Sequence, residues 1–136
     1  MSHRLPRREF LKAGAAVAGF SILHSSVRAF SPNEKLRTVH VGVGGKGRSD
    51  LSEMASHAGV EVAALCDVDS KTLAQQSELH PKAKLFRDYR EMISSLGDSI
   101  DAVVVSTPDH THAPAAMTAF NHGKPVYCQK PLTHEV

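Results

Sequence analysis

Four glycines between residues 42 and 47 have the spacing that a binding loop for a phosphorylated ligand requires. The segment G-V-G-G-K-G fits the pattern G-x-G-x-x-G and closes an apolar run that begins at Thr38. Gly42 permits a tight turn out of a strand, Gly44 lets bare main chain approach a ligand, and Gly47 allows a following helix to pack closely. The free N–H groups and the positive end of that helix then bind phosphate oxygens.

An acidic residue at a set distance strengthens this interpretation. Asp67 follows Gly47 by twenty positions and ends a second apolar run, so its carboxylate would accept hydrogen bonds from the hydroxyls of an adenosine ribose. Strand, glycines, helix and acid together predict a dinucleotide site that also uses Gly45 and Lys46, whereas the glycines alone also match a surface turn. The carboxylate repels a 2′-phosphate and favours NAD, although Lys46 and Arg48 leave NADP open as the second choice.

Composition excludes several other classes of protein. The chain has 136 residues, 41% hydrophobic and 22% charged, as in ordinary soluble globular proteins. Of its 16 basic and 14 acidic residues, residues 1–29 hold five and one, which leaves 11 and 13 for the remainder. We therefore expect no nucleic-acid partner, because the main part is not basic and the chain lacks Trp.

The first 29 residues have the layout of an export signal. The segment P-R-R-E-F-L-K at residues 6–12 precedes an apolar stretch at residues 13–23 and V-R-A at residues 27–29. The arginine pair resembles a twin-arginine signal, apart from Pro6 where Ser or Thr is usual, and predicts a periplasmic protein with a linker at residues 30–35. About 11 apolar residues span roughly 16 Å as a helix, so we expect no stable membrane span. An amphipathic N-terminal helix is the alternative.

Strands and helices alternate through the remainder of the chain. The apolar patterns and turn residues predict strands at residues 38–43, 60–66, 83–86, 102–106 and 125–128, and helices at residues 48–58, 70–79, 89–96 and 113–122. Such alternation predicts an α/β fold with a doubly wound parallel sheet of order 3-2-1-4-5 and a ligand site at the carboxyl ends of its strands. The last helix is expected to bury Ala113, Ala116, Met117 and Phe120.

The cysteines and histidines do not form a cluster in the sequence. Cys66 and Cys128 end the second and fifth predicted strands, about 14 Å apart at 4.8 Å per strand. A disulfide requires Cα atoms within about 7 Å, so two free, mostly buried thiols are expected. The histidines are scattered, and we predict no metal site.

Two further segments add a family resemblance. V-V-V-S-T-P-D-H-T-H at residues 103–112 and V-Y-C-Q-K-P-L at residues 126–132, together with the glycine loop and D-V-D at residues 67–69, resemble the Gfo/Idh/MocA oxidoreductases. The resemblance covers roughly residues 36–136 and implies an NAD(P)-binding Rossmann domain. That family adds a last strand and an α/β substrate domain, so we expect a truncated chain, which is a homo-oligomer when complete.

The resemblance also assigns cofactor contacts. The family's Thr-Pro-x-x-x-His segment falls on Thr107, Pro108 and His112, at the end of the fourth strand, where the nicotinamide half of NAD is expected. Thr107 and Pro108 would contact the cofactor and His112 would start the following helix. His110 is expected on the surface. The alternative for His112 is a helix-capping residue without a chemical role.

The family's Glu-Lys-Pro motif falls on Gln129, Lys130 and Pro131. The resemblance places Lys130 near the nicotinamide as the catalytic residue, where its charge would stabilise negative charge on a reacting hydroxyl oxygen. Gln129 departs from the usual Glu, carries no charge and cannot act as a base. The alternative for Lys130 is a solvated lysine before a proline.

Three functional hypotheses follow from these residues. The first is an NAD-dependent oxidoreductase that transfers hydride to or from a hydroxyl of a sugar, inositol or related polyol, with its general acid or base in the substrate domain. The second is a glycoside hydrolase of the same family that recycles bound NAD. The third is a nucleotide-binding fragment that is inactive alone because substrate has only one wall.

Overall fold

The computed structural model describes residues 34–132. Five strands, β1–β5, comprise Leu36–Val41, Val60–Cys66, Lys84–Phe86, Ala102–Val105 and Val126–Cys128. Four helices, α1–α4, comprise Gly45–Ala55, Ser70–Leu79, Tyr89–Leu96 and His112–Asn121, with short 3-10 helices at Gly97–Ser99 and Asp109–Thr111. The predicted export signal and most of the predicted linker lie outside the described residues.

The five strands form one parallel sheet of order β3-β2-β1-β4-β5, which confirms the predicted fold class and strand order. In the sheet register Val41 aligns with Cys66 and with Val105, and Val105 aligns with Cys128. Cys66 also aligns with Phe86, so the carboxyl ends of all five strands are level. Loops that follow these ends meet at one edge of the sheet.

Apolar side chains cover both faces of the sheet, as parallel strands require. One core cluster packs Val39, Val41, Val103 and Val105 against α3 and α4, and a second packs Leu65 against Val43, Leu51 and Leu73. β1 also buries His40, whose Nε2 lies 3.1 Å from the hydroxyl of Thr38. Burial lowers the pKa of His40 to about 4, so the ring is neutral at pH 7.

The first strand and helix differ from the predicted bounds. β1 ends at Val41 rather than at residue 43, because Gly42 turns away from the sheet with φ +81°. α1 begins at Gly45 rather than at residue 48, so the glycine segment itself supplies the first helical turn. The helix ends three residues earlier than predicted, since the N–H of His57 already bonds back to the carbonyl of Met54 in a turn.

The predicted apolar face of α4 is confirmed only in part: Ala116 is buried as predicted, but Met117 and Phe120 are not. Met117 and Phe120 are 55% and 56% exposed, whereas Ala115, Ala116 and Ala119 are buried together with His112. Both sets have the spacing of a helical stripe, so the pattern could not choose between them. The alanines face the sheet because small side chains let the helix approach it closely.

Both cysteines are free, as predicted. Cys66 is buried and Cys128 is partly buried, on strands separated by β1 and β4. Burial raises the pKa of the Cys66 thiol to about 12. Between residues 34 and 132 the structure contains no helix of the length and hydrophobicity needed to cross a membrane.

Candidate functional site

The turn after β1 requires glycine for two separate reasons. Gly42 has φ +81°, and a Cβ there would lie 2.8 Å from the carbonyl oxygen of Ser106 and 2.9 Å from the amide nitrogen of Thr107. Gly47 lies in α1, where a Cβ would overlap the carbonyl group of Gly42. Because both positions lack a Cβ, the start of α1 packs closely on the turn after β1, as predicted, and this turn packs closely on the end of β4.

The start of α1 offers unsatisfied main-chain donors. Gly44 is the N-cap, with an extended backbone and no side chain to bind the N–H groups of the first turn. Those N–H groups also lack partners within the helix, because the carbonyls they would bond lie before its start. Gly45 has φ +48° and open space where a Cβ would be. The result is a bare cradle of donors of the kind that binds phosphate.

Asp67 lies directly beside this cradle. Its Oδ2 accepts a hydrogen bond of 2.9 Å from the amide of Val43, and its Oδ1 accepts one of 2.9 Å from the amide of Asp69. An ionised carboxylate has about four acceptor positions, so Asp67 can still accept from ribose hydroxyls. The two bonds fix the carboxylate at the end of β2, in the place that the sequence predicted for it.

A cavity of about 610 Å³ adjoins the cradle and Asp67. Its lining includes Val68, Arg87 and Tyr89, which sequence reasoning missed, together with Pro108. Val68 is 77% exposed, and its carbonyl accepts a hydrogen bond of 2.8 Å from the guanidinium of Arg87. Val68 and Arg87 each follow the end of a strand within two residues. This position could have predicted them as site residues, because ligands bind at the carboxyl ends of parallel strands. Their apolar and planar surfaces suit a nucleotide base.

A smaller cavity of about 280 Å³ contains most of the other predicted site residues. It is lined by Lys46, Ser106, Thr107, Asp109, His112, Gln129 and Lys130. Thr107 lines both cavities, and its buried hydroxyl has no hydrogen-bond partner among the described residues. A buried hydroxyl without a partner costs about 1–3 kcal/mol, so this atom points to a ligand that bonds it.

His112 joins two loops of the smaller cavity. The ring is 2% exposed, with Nδ1 2.6 Å from the carbonyl oxygen of Pro131 and Nε2 2.7 Å from that of Thr107. Both partners are acceptors, so both contacts are hydrogen bonds only when each nitrogen carries a proton. His112 does start α4, as predicted, but Thr111 occupies the N-cap position, without a side-chain capping hydrogen bond, and the ring of His112 bonds elsewhere.

The segment after β5 is held in place by its main chain and by Gln129. The amide of Gln129 donates to the carbonyl of Val105, and its side-chain Nε2 donates to Asp50 across 2.9 Å. Lys130 is exposed and borders the smaller cavity, and its peptide bond to Pro131 is cis. The structure therefore brings Thr107, His112, Gln129 and Lys130 together, whereas Pro108 lines the larger cavity.

Asp50 is a residue of this site that sequence reasoning missed. It is 3% exposed, and its Oδ1 pairs with the ammonium of Lys46 across 2.7 Å while its Oδ2 accepts from the hydroxyl of Ser106 across 2.7 Å. Burial raises the pKa of its carboxyl, but hydrogen bonds from Lys46, Ser106 and Gln129 outweigh burial and leave that pKa below its ordinary value. Asp50 follows Gly47 by three positions and Lys46 by four, so the sequence spacing alone could have placed it on the buried side of α1.

The described residues fit a dinucleotide. The glycine cradle offers donors for a pyrophosphate, Asp67 offers acceptors for a ribose, and Thr107 offers a buried hydroxyl without a partner. The two basic side chains that left NADP open are engaged elsewhere, Lys46 with Asp50 and Arg48 with Gln75. Within residues 34–132 no group of His, Cys, Asp and Glu side chains is arranged to hold a metal ion.

Comparison with known families agrees with this geometry. Residues 36–136 match the Gfo/Idh/MocA family, described as an oxidoreductase family with an NAD-binding Rossmann fold. The chain belongs to this family. The predicted NAD cofactor and Rossmann fold are therefore confirmed.

Three relatives show what the chain is similar to. It is 34% identical over 136 residues to a glycosyl hydrolase family 109 protein of Stenotrophomonas maltophilia, an alignment that covers 92% of this chain and 29% of the relative. The structure matches myo-inositol 2-dehydrogenase from Lactobacillus plantarum with a TM-score of 0.70 and 27% identity over 75% of this chain and 30% of the other. It shares its fold with scyllo-inositol dehydrogenase from Lactobacillus casei, with bound NAD(H) and scyllo-inositol (TM-score 0.69, 23% identity, 75% and 30% covered). The chain thus spans about three tenths of the length of these relatives.

Proposed function

We propose that this chain supplies the NAD-binding part of an enzyme that transfers hydride to or from a hydroxyl of a sugar, inositol or related polyol. NAD, when bound, supplies the hydride acceptor or donor. The observation that carries the proposal is the smaller cavity, where Lys130, His112 and Thr107 border one space next to the glycine cradle. The similarity to myo-inositol 2-dehydrogenase supports the polyol as substrate.

Different residues of the chain bind the cofactor and take part in the reaction. The cradle at Gly44 and Gly45 binds the pyrophosphate, and Asp67 selects the ribose of NAD. His112 joins the loops on either side of the smaller cavity through its contacts with the carbonyls of Thr107 and Pro131. The ammonium of Lys130 stabilises negative charge that develops on the substrate oxygen, an effect that is strongest where water is excluded.

The test is Lys130→Met in the full-length protein. We expect turnover to fall by about two to three orders of magnitude, the usual effect of removing one electrostatic group from an active site. The affinity for NAD should stay within about twofold, because the cradle and Asp67 are untouched. Lys82→Met, which removes an exposed lysine that lines neither cavity, is the matched control. Unchanged turnover in Lys130→Met would remove this lysine from the mechanism.

A second function has its own support, the 34% identity to a glycosyl hydrolase family 109 protein. In that case the same cradle would retain NAD, which is recycled while a glycoside is hydrolysed. The two functions are separated by assaying polyol oxidation and nitrophenyl glycoside hydrolysis with one protein preparation. Net NADH formation from a polyol supports the first function, and release of nitrophenol without net NADH supports the second.

We also propose that the protein is exported in folded form by the twin-arginine route. The support is the segment P-R-R-E-F-L-K at residues 6–12 and the apolar stretch that follows it. A folded export route agrees with a dinucleotide domain, because NAD is made in the cytoplasm and must be bound before export.

A further inference from the structure

One carboxylate links the glycine cradle to the lysine segment. Asp50 is buried, with its side chain only 3% exposed. Its two oxygens receive three donors from three elements: Lys46 from α1, Ser106 from the end of β4, and Gln129 from the end of β5. Lys46 lies inside the glycine segment and Gln129 directly precedes Lys130, so Asp50 touches both halves of the site.

The negative charge of Asp50 is complementary to the amide donor of Gln129. The amide Nε2 of Gln129 lies 2.9 Å from Oδ2 of Asp50 and donates to it. A Glu at this position, which the family motif normally has, would place two carboxylates at about the same distance. Like charges so close cannot both stay ionised without a large penalty. Gln129 and Asp50 are therefore a matched donor and acceptor.

The orientation of the Gln129 amide is fixed by the same contact. Because Nε2 faces Asp50, the other end of the amide, Oε1, is turned toward the main-chain N–H of Lys130, 3.4 Å away. The main-chain N–H of Gln129 is meanwhile tied to Val105 at the end of β4. The backbone at residues 129–130 is thus held from two directions, one of which begins at Asp50.

We propose that Asp50 is a positioning residue. It supplies from α1 the negative charge that the family motif places at position 129, and it holds the Lys130 segment at a fixed position relative to the glycine cradle. The role in turnover rests on the proposed function, whereas the coupling between α1 and the Lys130 segment does not. Asp50 touches neither the substrate nor the reacting atoms, so its effect passes through Gln129 and Lys46.

Other charged or titratable groups lie around Asp50 and its partners Lys46 and Gln129. Lys46 and Glu53 lie on the same helix, His40 lies on β1 and Tyr127 lies on β5. His40 is neutral at pH 7, and Tyr127 contributes its hydroxyl, 3.5 Å from Nε2 of Gln129. Lys46 is thus the one cation bonded to Asp50 among the described residues, and it would remain charged throughout the pH range of the experiment below.

The test is a double-mutant cycle of Gln129→Glu, Asp50→Asn and both changes together. At pH 8 we expect Gln129→Glu to lower kcat by at least about tenfold, since coupling between contacting groups reaches this size. The loss should shrink as the pH falls toward 5, because one proton shared by the two carboxylates relieves their repulsion.

The double variant reverses the donor and the acceptor of the original pair. The amide introduced at position 50 can donate to the carboxylate introduced at position 129, so kcat should return to within about threefold of the starting protein. Glu78→Gln, which removes an exposed acid on α2, is the control and should leave kcat and its pH dependence unchanged.

Two measurements on the 136-residue chain do not need turnover. In amide NMR spectra the resonances of Lys130 and of the glycine segment should both shift in Gln129→Glu and return to their wild-type positions in the double variant. The affinity for NAD should likewise fall in Gln129→Glu and recover in the double variant. If the wild-type protein turned over no polyol or glycoside, the proposed function would fail while this cycle could still succeed. Should Gln129→Glu not fold at pH 8, Asp50→Asn and the double variant are compared at that pH, and we expect the Lys130 resonance to be shifted in Asp50→Asn and returned in the double variant.

Two results would overturn the proposal. The first is a Gln129→Glu protein with wild-type kcat and pH profile, since the repulsion would then have no effect on Lys130. The second is a double variant no better than Gln129→Glu in kcat, in the NMR spectrum and in folding. Loss of stability alone, without movement of the Lys130 resonance or a changed pH profile, would assign Asp50 a structural role and equally refute its positioning role.

Discussion

Gly47→Ala tests whether the close contact of α1 with the first turn is what forms the cradle. Two effects oppose each other at this position. Gly47 lies inside α1, where Ala is favoured over Gly by about 0.8–1.0 kcal/mol. A Cβ would nevertheless overlap the carbonyl oxygen of Gly42 and lie 2.9 Å from its carbonyl carbon. Both groups belong to the main chain and no flexible side chain can move aside.

The change in the free energy of unfolding of Gly47→Ala is the difference between these two opposing effects. Overpacking against rigid groups costs about 1–3 kcal/mol, and main chain on both sides places this contact at the upper end of that range. The free energy of unfolding should therefore fall by about 1–2 kcal/mol. Affinity for NAD should fall further, because displacement of α1 weakens at least one hydrogen bond to a charged phosphate, worth about 1.5–3 kcal/mol. That loss corresponds to roughly 10- to 150-fold in Kd.

The assays are urea denaturation and calorimetric titration with NAD on the same preparations. Ser49→Ala is the matched control, an exposed position on α1. It should leave Kd unchanged and raise stability slightly through helix propensity. A folded Gly47→Ala protein with the wild-type Kd would refute the reasoning, because the cradle would then not depend on this contact.

Two further predictions concern pH and export. The folded-state pKa of His40, about 4, lies below its ordinary value of 6.5, so the unfolded chain binds this proton first and stability should fall as the pH drops from 6.5 to 4. In His40→Gln the free energy of unfolding should depend less on pH between 6.5 and 4 than in the wild-type protein. The control His110→Gln, at an exposed ring, should keep the wild-type slope. Equal slopes in the two variants would contradict the assignment to His40. Replacement of both Arg7 and Arg8 by Lys should retain the protein in the cytoplasm in cell fractionation, and export of this variant at the normal level would exclude the twin-arginine route.

The sequence was sufficient for the features that depend on periodicity and spacing. Alternation of apolar runs with helical stripes predicted the parallel sheet, and the spacing of twenty positions from Gly47 to Asp67 predicted that the acid reaches the cradle. Both follow from local rules: a parallel strand buried on both faces is apolar throughout, and a glycine is needed where another backbone approaches.

The features that the sequence could not supply depend on side-chain size and on contacts between distant residues. The spacing of α4 allowed two stripes, and only packing against the sheet selects Ala115, Ala116 and Ala119 over Met117 and Phe120. Asp50 is 79 residues from Gln129, so no local pattern joins them. The buried side of α1 could have been found from Gly47, but the partners of Asp50 required the sheet register.

The most direct test of the central claim is a calorimetric titration of the chain with NAD and with NADP. We expect one binding site per chain, a lower Kd for NAD than for NADP because of Asp67, and a raised Kd for NAD in Gly47→Ala. The absence of heat with either form of NAD, in a protein whose circular dichroism shows it folded, would contradict the account.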